Sequence, residues 1–114
     1  MPTLQVQTNV PLEGDAADRF FDAATDAVAT ALGKPPAFVQ VSLTTAAMSF
    51  AGTTDPTAYV SLTSLGKVEE AAPVASRALA ELLTTHLGVQ PGRAYIQFFD
   101  CPRHMMALNG TPFG

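Results

Sequence analysis

The sequence predicts an α/β fold of one domain, in which a strand–helix–strand unit occurs twice. In each half of the chain, apolar residues alternate with polar ones, then recur three and four residues apart, then alternate again. The two helix exits also align, because each is Leu-Gly with a Pro three residues after the Gly (32–36 and 87–91). Two such units predict a four-stranded sheet with both helices on one face, since crossovers of this kind are right-handed.

The first unit begins with a strand over residues 3–10, where apolar and polar side chains alternate. An amphipathic helix is predicted next from apolar side chains at helical spacing, which are Phe21, Ala24, Val28 and Leu32. The aspartates of this stretch face elsewhere and are interpreted as a solvated helix face. Gly33 ends the helix as a C-cap glycine, and alternation over residues 38–43 predicts the second strand.

The second unit repeats this order. Residues 58–63 alternate and predict a third strand, and the helix that follows ends at Gly88. Its apolar side chains are Ala75, Leu79, Leu82, Leu83 and Leu87. In the last predicted strand, residues 94–99, both faces are apolar or aromatic, so the sheet face without helices is expected to be buried against other subunits.

Composition limits the class of protein. A chain of 114 residues suits a single domain, residues 1–114, and 14% charged against 47% hydrophobic residues favours subunit contacts. The net charge of -4 and the scattered Lys and Arg residues give no basic patch, so no nucleic-acid partner is expected. Cys101 is the only cysteine, which excludes an internal disulfide. With no signal peptide or membrane-spanning run in the sequence, we expect a cytoplasmic protein and no membrane partner.

Pro2 is the residue with the greatest chemical consequence. Removal of Met1, which aminopeptidases commonly perform before Pro, would leave a secondary amine at the N-terminus that can act as a base. An α-amino group titrates near about 8 in model peptides, and an apolar pocket beside a cation such as Lys34 would lower this pKa. Taken alone, Met-Pro also suits the first residue of an edge strand, where no backbone donor is needed.

Short characteristic segments are distributed along nearly the whole chain. They are Met1-Pro2, Thr8-Asn9-Val10-Pro11, Gly33-Lys34-Pro35-Pro36, Met48-Ser49-Phe50, Gly52, Asp55-Pro56, Ser61-Leu62, Ser64-Leu65-Gly66-Lys67, Arg93-Ala94-Tyr95-Ile96, Phe99-Asp100, Asn109-Gly110 and Phe113. In this order and at these intervals, the sequence resembles the macrophage migration inhibitory factor family of the tautomerase superfamily. The resemblance implies a homotrimer whose sheets line a central barrel, with active sites at the subunit interfaces.

The resemblance also implies an activity, the keto–enol tautomerisation of a small keto acid, of the phenylpyruvate tautomerase and dopachrome isomerase type. It gives Pro2 the role of the general base. Lys34 is then the cation that holds the substrate carboxylate or carbonyl, and Ser64 and Leu65 lie where the family offers a backbone N–H to the substrate. For Lys34, the other interpretation is a solvated side chain that compensates the helix dipole.

Tyr95 and Gln97 lie two residues apart and therefore share one face of the last predicted strand. The resemblance implies that this face reaches into the pocket of a neighbouring subunit, which makes the pocket composite. A core aromatic whose hydroxyl reaches the surface is the other interpretation of Tyr95, and the residues leave both open.

Two substitutions distinguish this chain from the better-known animal members. Gln97 stands where Asn is usual, which keeps the amide but adds a methylene. Leu108 stands where Trp is usual, which removes a large aromatic wall, although Phe113 is retained at the pocket mouth. We expect both substitutions to alter substrate preference.

Other chemistries find little support in the sequence. The Cys-x-x-Cys of the animal proteins is replaced, with Thr57 and Val60 at the corresponding positions, which excludes thiol oxidoreductase activity of that type. His86 and His104 have no Ser, Cys or carboxylate at a spacing typical of a triad or metal site, and both are interpreted as structural. The sequence indicates no metal and no cofactor.

Two functions compete with the tautomerase. Animal members of the family act as cytokines that are secreted without a signal peptide, so a protein that binds a receptor with weak or no turnover is the first alternative, and export from the cytoplasm stays open. The second is a structural trimer that has lost activity through Gln97 and Leu108. The state of Pro2 separates these functions, because a proline amide that still carries Met1 has no lone pair to use as a base.

Overall fold

In the computed structural model, which describes residues 1–114, two β-α-β units share one sheet. The strands are β1 (Thr3–Thr8), β2 (Gln40–Thr45), β3 (Ala58–Ser64), β4 (Ala94–Asp100), β5 (Ala107–Leu108) and β6 (Thr111–Pro112). The helices are α1 (Gly14–Leu32) and α2 (Val68–Leu87), and short 3-10 turns occupy Pro36–Phe38, Pro91–Arg93 and Arg103–Met105. Neither α1 nor α2 is long and apolar enough to cross a membrane.

The main sheet has the strand order β2-β1-β3-β4. The pairs β1/β2 and β3/β4 are parallel, as β-α-β crossovers require, and the two units join through antiparallel pairing of β1 with β3. In that central pair, Leu4 lies opposite Leu62 and Val6 lies opposite Val60. The predicted fold class, two β-α-β units with two helices on one face of a four-stranded sheet, is confirmed.

The core lies between the sheet and the two helices. From the sheet it contains Leu4, Val6, Val60 and Leu62, and from the helices it contains Phe20, Ala24, Val28, Leu32, Ala75, Leu79, Leu82, Leu83 and Leu87. Phe21, which the sequence placed on the apolar face of α1, is half-buried and packs against the core, but the fully buried phenylalanine of the helix is Phe20. The stripe of α1 advances four residues at a time from Phe20, which turns Phe21 toward its flank.

Glycines end both helices in the left-handed conformation, as predicted. Gly33 has φ 62° and Gly88 has φ 66°, a region in which a side chain would be strained. The turn at Gly33 lets the Lys34 N–H donate to the Ala29 carbonyl at 3.0 Å. Gly33 therefore sets the direction in which the chain, and Lys34 with it, leaves α1.

The sheet face without helices is polar along its centre. The Ser61 hydroxyl donates to Gln5 at 3.1 Å, and the Tyr59 hydroxyl donates to Gln97 at 2.6 Å. Aromatic side chains line the outer strand on this face, where Tyr95 and Phe99 are exposed. The face is therefore less apolar than the sequence predicted, and its burial against other subunits stays a prediction.

Candidate active site

An open cavity of about 400 Å³ lies at the start of β1. Three segments line it: residues 1–3, residues 37–40 at the entry to β2, and residues 106–108 with Phe113 near the C-terminus. Eight of its 11 lining residues are hydrophobic and none is acidic. The cavity can therefore enclose a small apolar group and offers no carboxylate that would repel an anion.

Pro2 lies in the floor of this cavity and is buried. Its carbonyl accepts a hydrogen bond from the Gln40 N–H at 3.0 Å, which fixes the residue to the entry of β2. The register of β1 with β3, continued by one residue beyond the Thr3 and Thr63 pair, sets Pro2 across from Ser64. The strand pairing thus brings the first and second β-α-β units together at this point.

Lys34 reaches the same end of the sheet from the loop after α1. Its Nζ donates to the Leu65 carbonyl at 2.7 Å, and the side chain is half-buried. The alternative interpretation of Lys34 is therefore wrong in making the side chain freely solvated, whereas its compensation of the helix dipole stays a prediction. Leu65 is itself buried, and its carbonyl is the group that faces Lys34.

The chain start has an unusual electrostatic environment. Burial lowers the pKa of the Met1 amine below its ordinary value, the charge of Lys34 and its hydrogen bond lower it further, and the charge of Arg103 adds a smaller effect. Both cations therefore act on the same point at the mouth of the cavity. An amine at this end of the chain is held in its neutral, basic form to lower pH than in water.

Ser64 has a buried hydroxyl that finds no hydrogen-bond partner. Its carbonyl accepts the Cys101 N–H at 2.8 Å, but the side-chain oxygen faces the helix side of the sheet, as Pro2 does. An unpartnered buried hydroxyl costs on the order of 1–3 kcal/mol, so proteins rarely retain one without a use. The position across from Pro2 places this orphan group at the candidate site.

The C-terminal segment forms the outer wall of the cavity. Phe113 donates its N–H to the Met106 carbonyl and accepts from Arg103 Nη2 at its own carbonyl, both at 3.0 Å. Leu108 lines the cavity but is 58% exposed, so this side of the wall is open. Pairing of β5 with β6 holds the segment in place.

Tyr95 and Gln97 lie outside this cavity within one chain. Tyr95 pairs with Tyr59 of β3. Tyr59 lies five residues along β3 from Ser64, the residue across from Pro2, and this spacing corresponds to roughly 17 Å of strand. Tyr95 is 67% exposed, so its interpretation as a core aromatic was wrong. The structure therefore brings together Pro2 and Lys34 with the C-terminal wall, and leaves the two β4 side chains on the uncovered face.

Sequence reasoning missed three contributors to the site. Phe38 and Met106 line the cavity, and Arg103 acts on the amine at the chain start. Phe38 follows the paired prolines after Lys34, so an aromatic residue beside that loop was an available indication. Nothing in the pattern around Arg103 or Met106 pointed to the N-terminus, because only the folded C-terminal segment brings them there.

Two β-α-β units share one mixed sheet, a proline is buried at the second position, and a lysine acts on the chain start; the class of protein follows from the family match, because that family belongs to the tautomerase superfamily. The chain belongs to the macrophage migration inhibitory factor (MIF) family, whose family model matches residues 1–114. It is 36% identical to a macrophage migration inhibitory factor homolog of Brugia malayi over 119 residues, which covers 100% of both chains. It is also 36% identical to macrophage migration inhibitory factor of Rattus norvegicus over 115 residues, or 99% of each chain.

Solved structures agree with this assignment. The crystal structure of a macrophage migration inhibitory factor homologue from Prochlorococcus marinus superposes with a TM-score of 0.92 at 32% identity, covering 98% of this chain and 99% of that one. Macrophage migration inhibitory factor of Toxoplasma gondii superposes with a TM-score of 0.91 at 29% identity, covering 97% and 99%. The fold is therefore shared over its full length.

Proposed function

We propose that this protein is a keto–enol tautomerase for a small α-keto acid, of the phenylpyruvate tautomerase and dopachrome isomerase type. The amine of Pro2, free after removal of Met1, is its general base. The observation that carries the proposal is the burial of Pro2 in a largely apolar cavity, next to a chain start on which the charge of Lys34 acts. Family membership supports the same activity.

In this mechanism the Pro2 nitrogen takes the proton from the carbon next to the carbonyl. The C–H electrons form the C=C bond, the carbonyl π electrons move to oxygen, and the Pro2 ammonium returns the proton to that oxygen. The lowered pKa of the Met1 amine supports this role, because Pro2 is the next residue and lines the same cavity. The orphan Ser64 hydroxyl offers a nearby acceptor for the Pro2 N–H.

Lys34 is the electrostatic partner of the substrate. Its ammonium already donates to the Leu65 carbonyl at 2.7 Å, so its side chain is ordered before substrate arrives. A fixed cation stabilises a carboxylate or a developing enolate more than a mobile one, because little reorganisation is needed. No acidic residue lines the cavity, so no carboxylate there would compete with a substrate carboxylate for the Lys34 charge.

The complete pocket is composite and belongs to a homotrimer. The outer strands β2 and β4 each have one unpaired edge, and exposed edges of this kind favour pairing with another chain. Tyr95 projects from β4 on the uncovered face with Gln97 beside it, which suits a contribution to a neighbouring subunit's cavity. The Gln97 side-chain oxygen accepts a hydrogen bond from the Tyr59 hydroxyl, which fixes the Gln97 side chain on that face.

The proposal is tested by the ketonisation of phenylpyruvate enol, followed by ultraviolet absorbance, with protein whose mass shows that Met1 is absent. Substitution Pro2→Gly keeps an N-terminal amine but removes the secondary amine, and we expect kcat/KM to fall by about 10²- to 10⁴-fold. Pro11→Gly, in the loop after β1, is the matched control and should stay near wild type. Full activity of Pro2→Gly would overturn the assignment of the base.

A protein-binding, cytokine-like role is the second candidate. It is favoured by large apolar side chains that are exposed at the cavity, with Phe38 at 47% and Leu108 at 58%, and by Met105, which is 69% exposed and precedes the lining residue Met106. A macrophage migration assay separates the two roles, with Pro2→Gly as the catalytically impaired variant and Met105→Ser as the surface variant. Migration that responds to Met105→Ser and not to Pro2→Gly would favour binding over turnover.

A further inference from the structure

The guanidinium of Arg93 holds the loop 50–56 between β2 and β3. Its Nε donates to the Pro56 carbonyl at 3.0 Å and its Nη1 donates to the Phe50 carbonyl at 3.2 Å. Its Nη2 donates to the carbonyls of Thr53 at 3.3 Å and Asp55 at 3.0 Å. All three guanidinium nitrogens therefore bind backbone oxygens of one loop, an arrangement that only the planar fork of arginine provides.

The same guanidinium also lies over an aromatic ring. Arg93 Cζ is 5.4 Å from the centroid of the Phe50 ring, and that ring lies 5.3 Å from the ring of Tyr95 at an angle of 47°. Tyr95 is 67% exposed and has no hydrogen bond from its hydroxyl within the chain. Phe50 is thus the aromatic wall that restricts where the Tyr95 ring can point.

Besides Arg93, two hydrogen bonds between the backbones of Phe50 and Thr53, at 2.9 and 3.1 Å, restrain the loop, but no other side chain is recorded against the Phe50 ring except Tyr95. Residues 51–56 are exposed, and Ala51 adopts a left-handed φ of 53° that costs a side-chain-bearing residue free energy. Asn9 provides a further anchor, since its Nδ2 donates to the carbonyls of Thr54 at 3.0 Å and Asp55 at 3.2 Å. Asn9 therefore holds the end of the loop that is nearer to β3, and it makes no hydrogen bond to Phe50.

We propose that Arg93 is a positioning residue for Tyr95, which acts by fixing Phe50 and through it the direction of the tyrosine ring. This inference rests on the proposed function, in which Tyr95 completes the pocket of a neighbouring subunit. Arg93 touches no substrate in this account. Its loss should weaken substrate binding through Tyr95 alone and leave proton transfer at Pro2 intact.

A double-mutant cycle with Arg93→Met and Tyr95→Ala tests the coupling, with kcat and KM measured on phenylpyruvate enol. We expect each single variant to raise KM by roughly tenfold with little change in kcat, and the double variant to be no worse than Tyr95→Ala. Asn9→Asp is the matched control, because it removes both loop bonds from Nδ2 but keeps the Oδ1 acceptor of the Thr57 N–H. It should loosen the same loop without raising KM.

A spectroscopic readout tests the positioning without any turnover. The chain has no Trp and two Tyr residues, so Tyr95 is the only fluorescent tyrosine in a Tyr59→Phe background. We expect Arg93→Met to lower the tyrosine anisotropy and the near-ultraviolet circular dichroism in that background, and Asn9→Asp to leave both unchanged.

Different results test the positioning role of Arg93 and the base role of Pro2. Effects of Arg93→Met and Tyr95→Ala that multiply in the double variant, or a Tyr95 anisotropy that Arg93→Met leaves unchanged, would overturn the positioning role. A Tyr95→Ala variant with unchanged KM would overturn it as well, while loss of activity in Pro2→Gly would still uphold the tautomerase. Full activity in Pro2→Gly would overturn the proposed base, and the anisotropy measurement would still decide whether Arg93 fixes Tyr95.

Discussion

Single residues decide the chemistry at the start of the chain, where an amine loses hydration and faces two cations. Burial is the largest cause of the lowered pKa of the Met1 amine, Lys34 comes next and Arg103 last. Each cause disfavours the protonated form, since a positive charge is costly both in an apolar cavity and beside another cation. Pro2 and Lys34 were predicted from the sequence, whereas Arg103 reaches the amine only because the C-terminal segment folds over the cavity.

The pH dependence of kcat/KM tests this environment. Activity should rise with pH as the Pro2 amine loses its proton, with a midpoint below the value of about 8 for an ordinary α-amino group. Lys34→Met removes a cation, makes the protonated amine less costly and should raise this midpoint, and Arg103→Met should raise it less. A midpoint that falls or stays constant in Lys34→Met would contradict the electrostatic account.

At the scale of the elements, periodicity predicted α1, α2 and the four strands of the main sheet, because each is long enough to show its period. The hairpin of β5 with β6 has strands of two residues, which are too short to carry a pattern. Phe20 was missed because adjacent phenylalanines fit the apolar stripe almost equally well, and packing against the sheet decides between them. The polar centre of the uncovered face also depends on strand pairing rather than on any one strand.

Gly33 connects an element to the site, and its substitution tests that connection. Gly33→Ala forces a side chain into φ 62° and should lower the free energy of unfolding by about 1–2 kcal/mol. We also expect it to shift Lys34, and so to raise the midpoint of the pH profile. Gly92→Ala is the control, because Gly92 does not have a left-handed φ and has open space around its Cα. If urea unfolding shows the same loss of unfolding free energy in Gly33→Ala and Gly92→Ala, this role of Gly33 is contradicted.

At the scale of the whole molecule, one chain carries the parts of the proposed pocket at two separated places. Pro2, Lys34, Leu108 and Phe113 lie around the cavity, whereas Tyr95 lies roughly 17 Å away along the sheet. The strand directions explain the separation. Because β3 runs antiparallel to β1 and β4 runs parallel to β3, the start of β4, with Tyr95, lies at the opposite end of the sheet from the start of β1, with Pro2. Sequence periodicity could place Tyr95 on a face of its strand but could not predict which cavity that face approaches.

Complementation between subunits tests the composite pocket. Mixed trimers of Pro2→Gly and Tyr95→Ala subunits should contain some sites that combine an intact Pro2 with an intact Tyr95, about a quarter of them in an equal mixture. We expect the activity after joint refolding to exceed the mean of the two variants measured separately. Activity equal to that mean would show that each pocket belongs to a single chain.

Whether the Pro2 amine is the base is decided by comparing one preparation before and after removal of Met1. Protein that retains Met1 is treated with methionine aminopeptidase, and ketonisation of phenylpyruvate enol is measured alongside the intact mass. We expect activity to appear in proportion to the fraction of chains that have lost Met1, because only they carry a free secondary amine. Equal activity in chains that keep Met1 would contradict it.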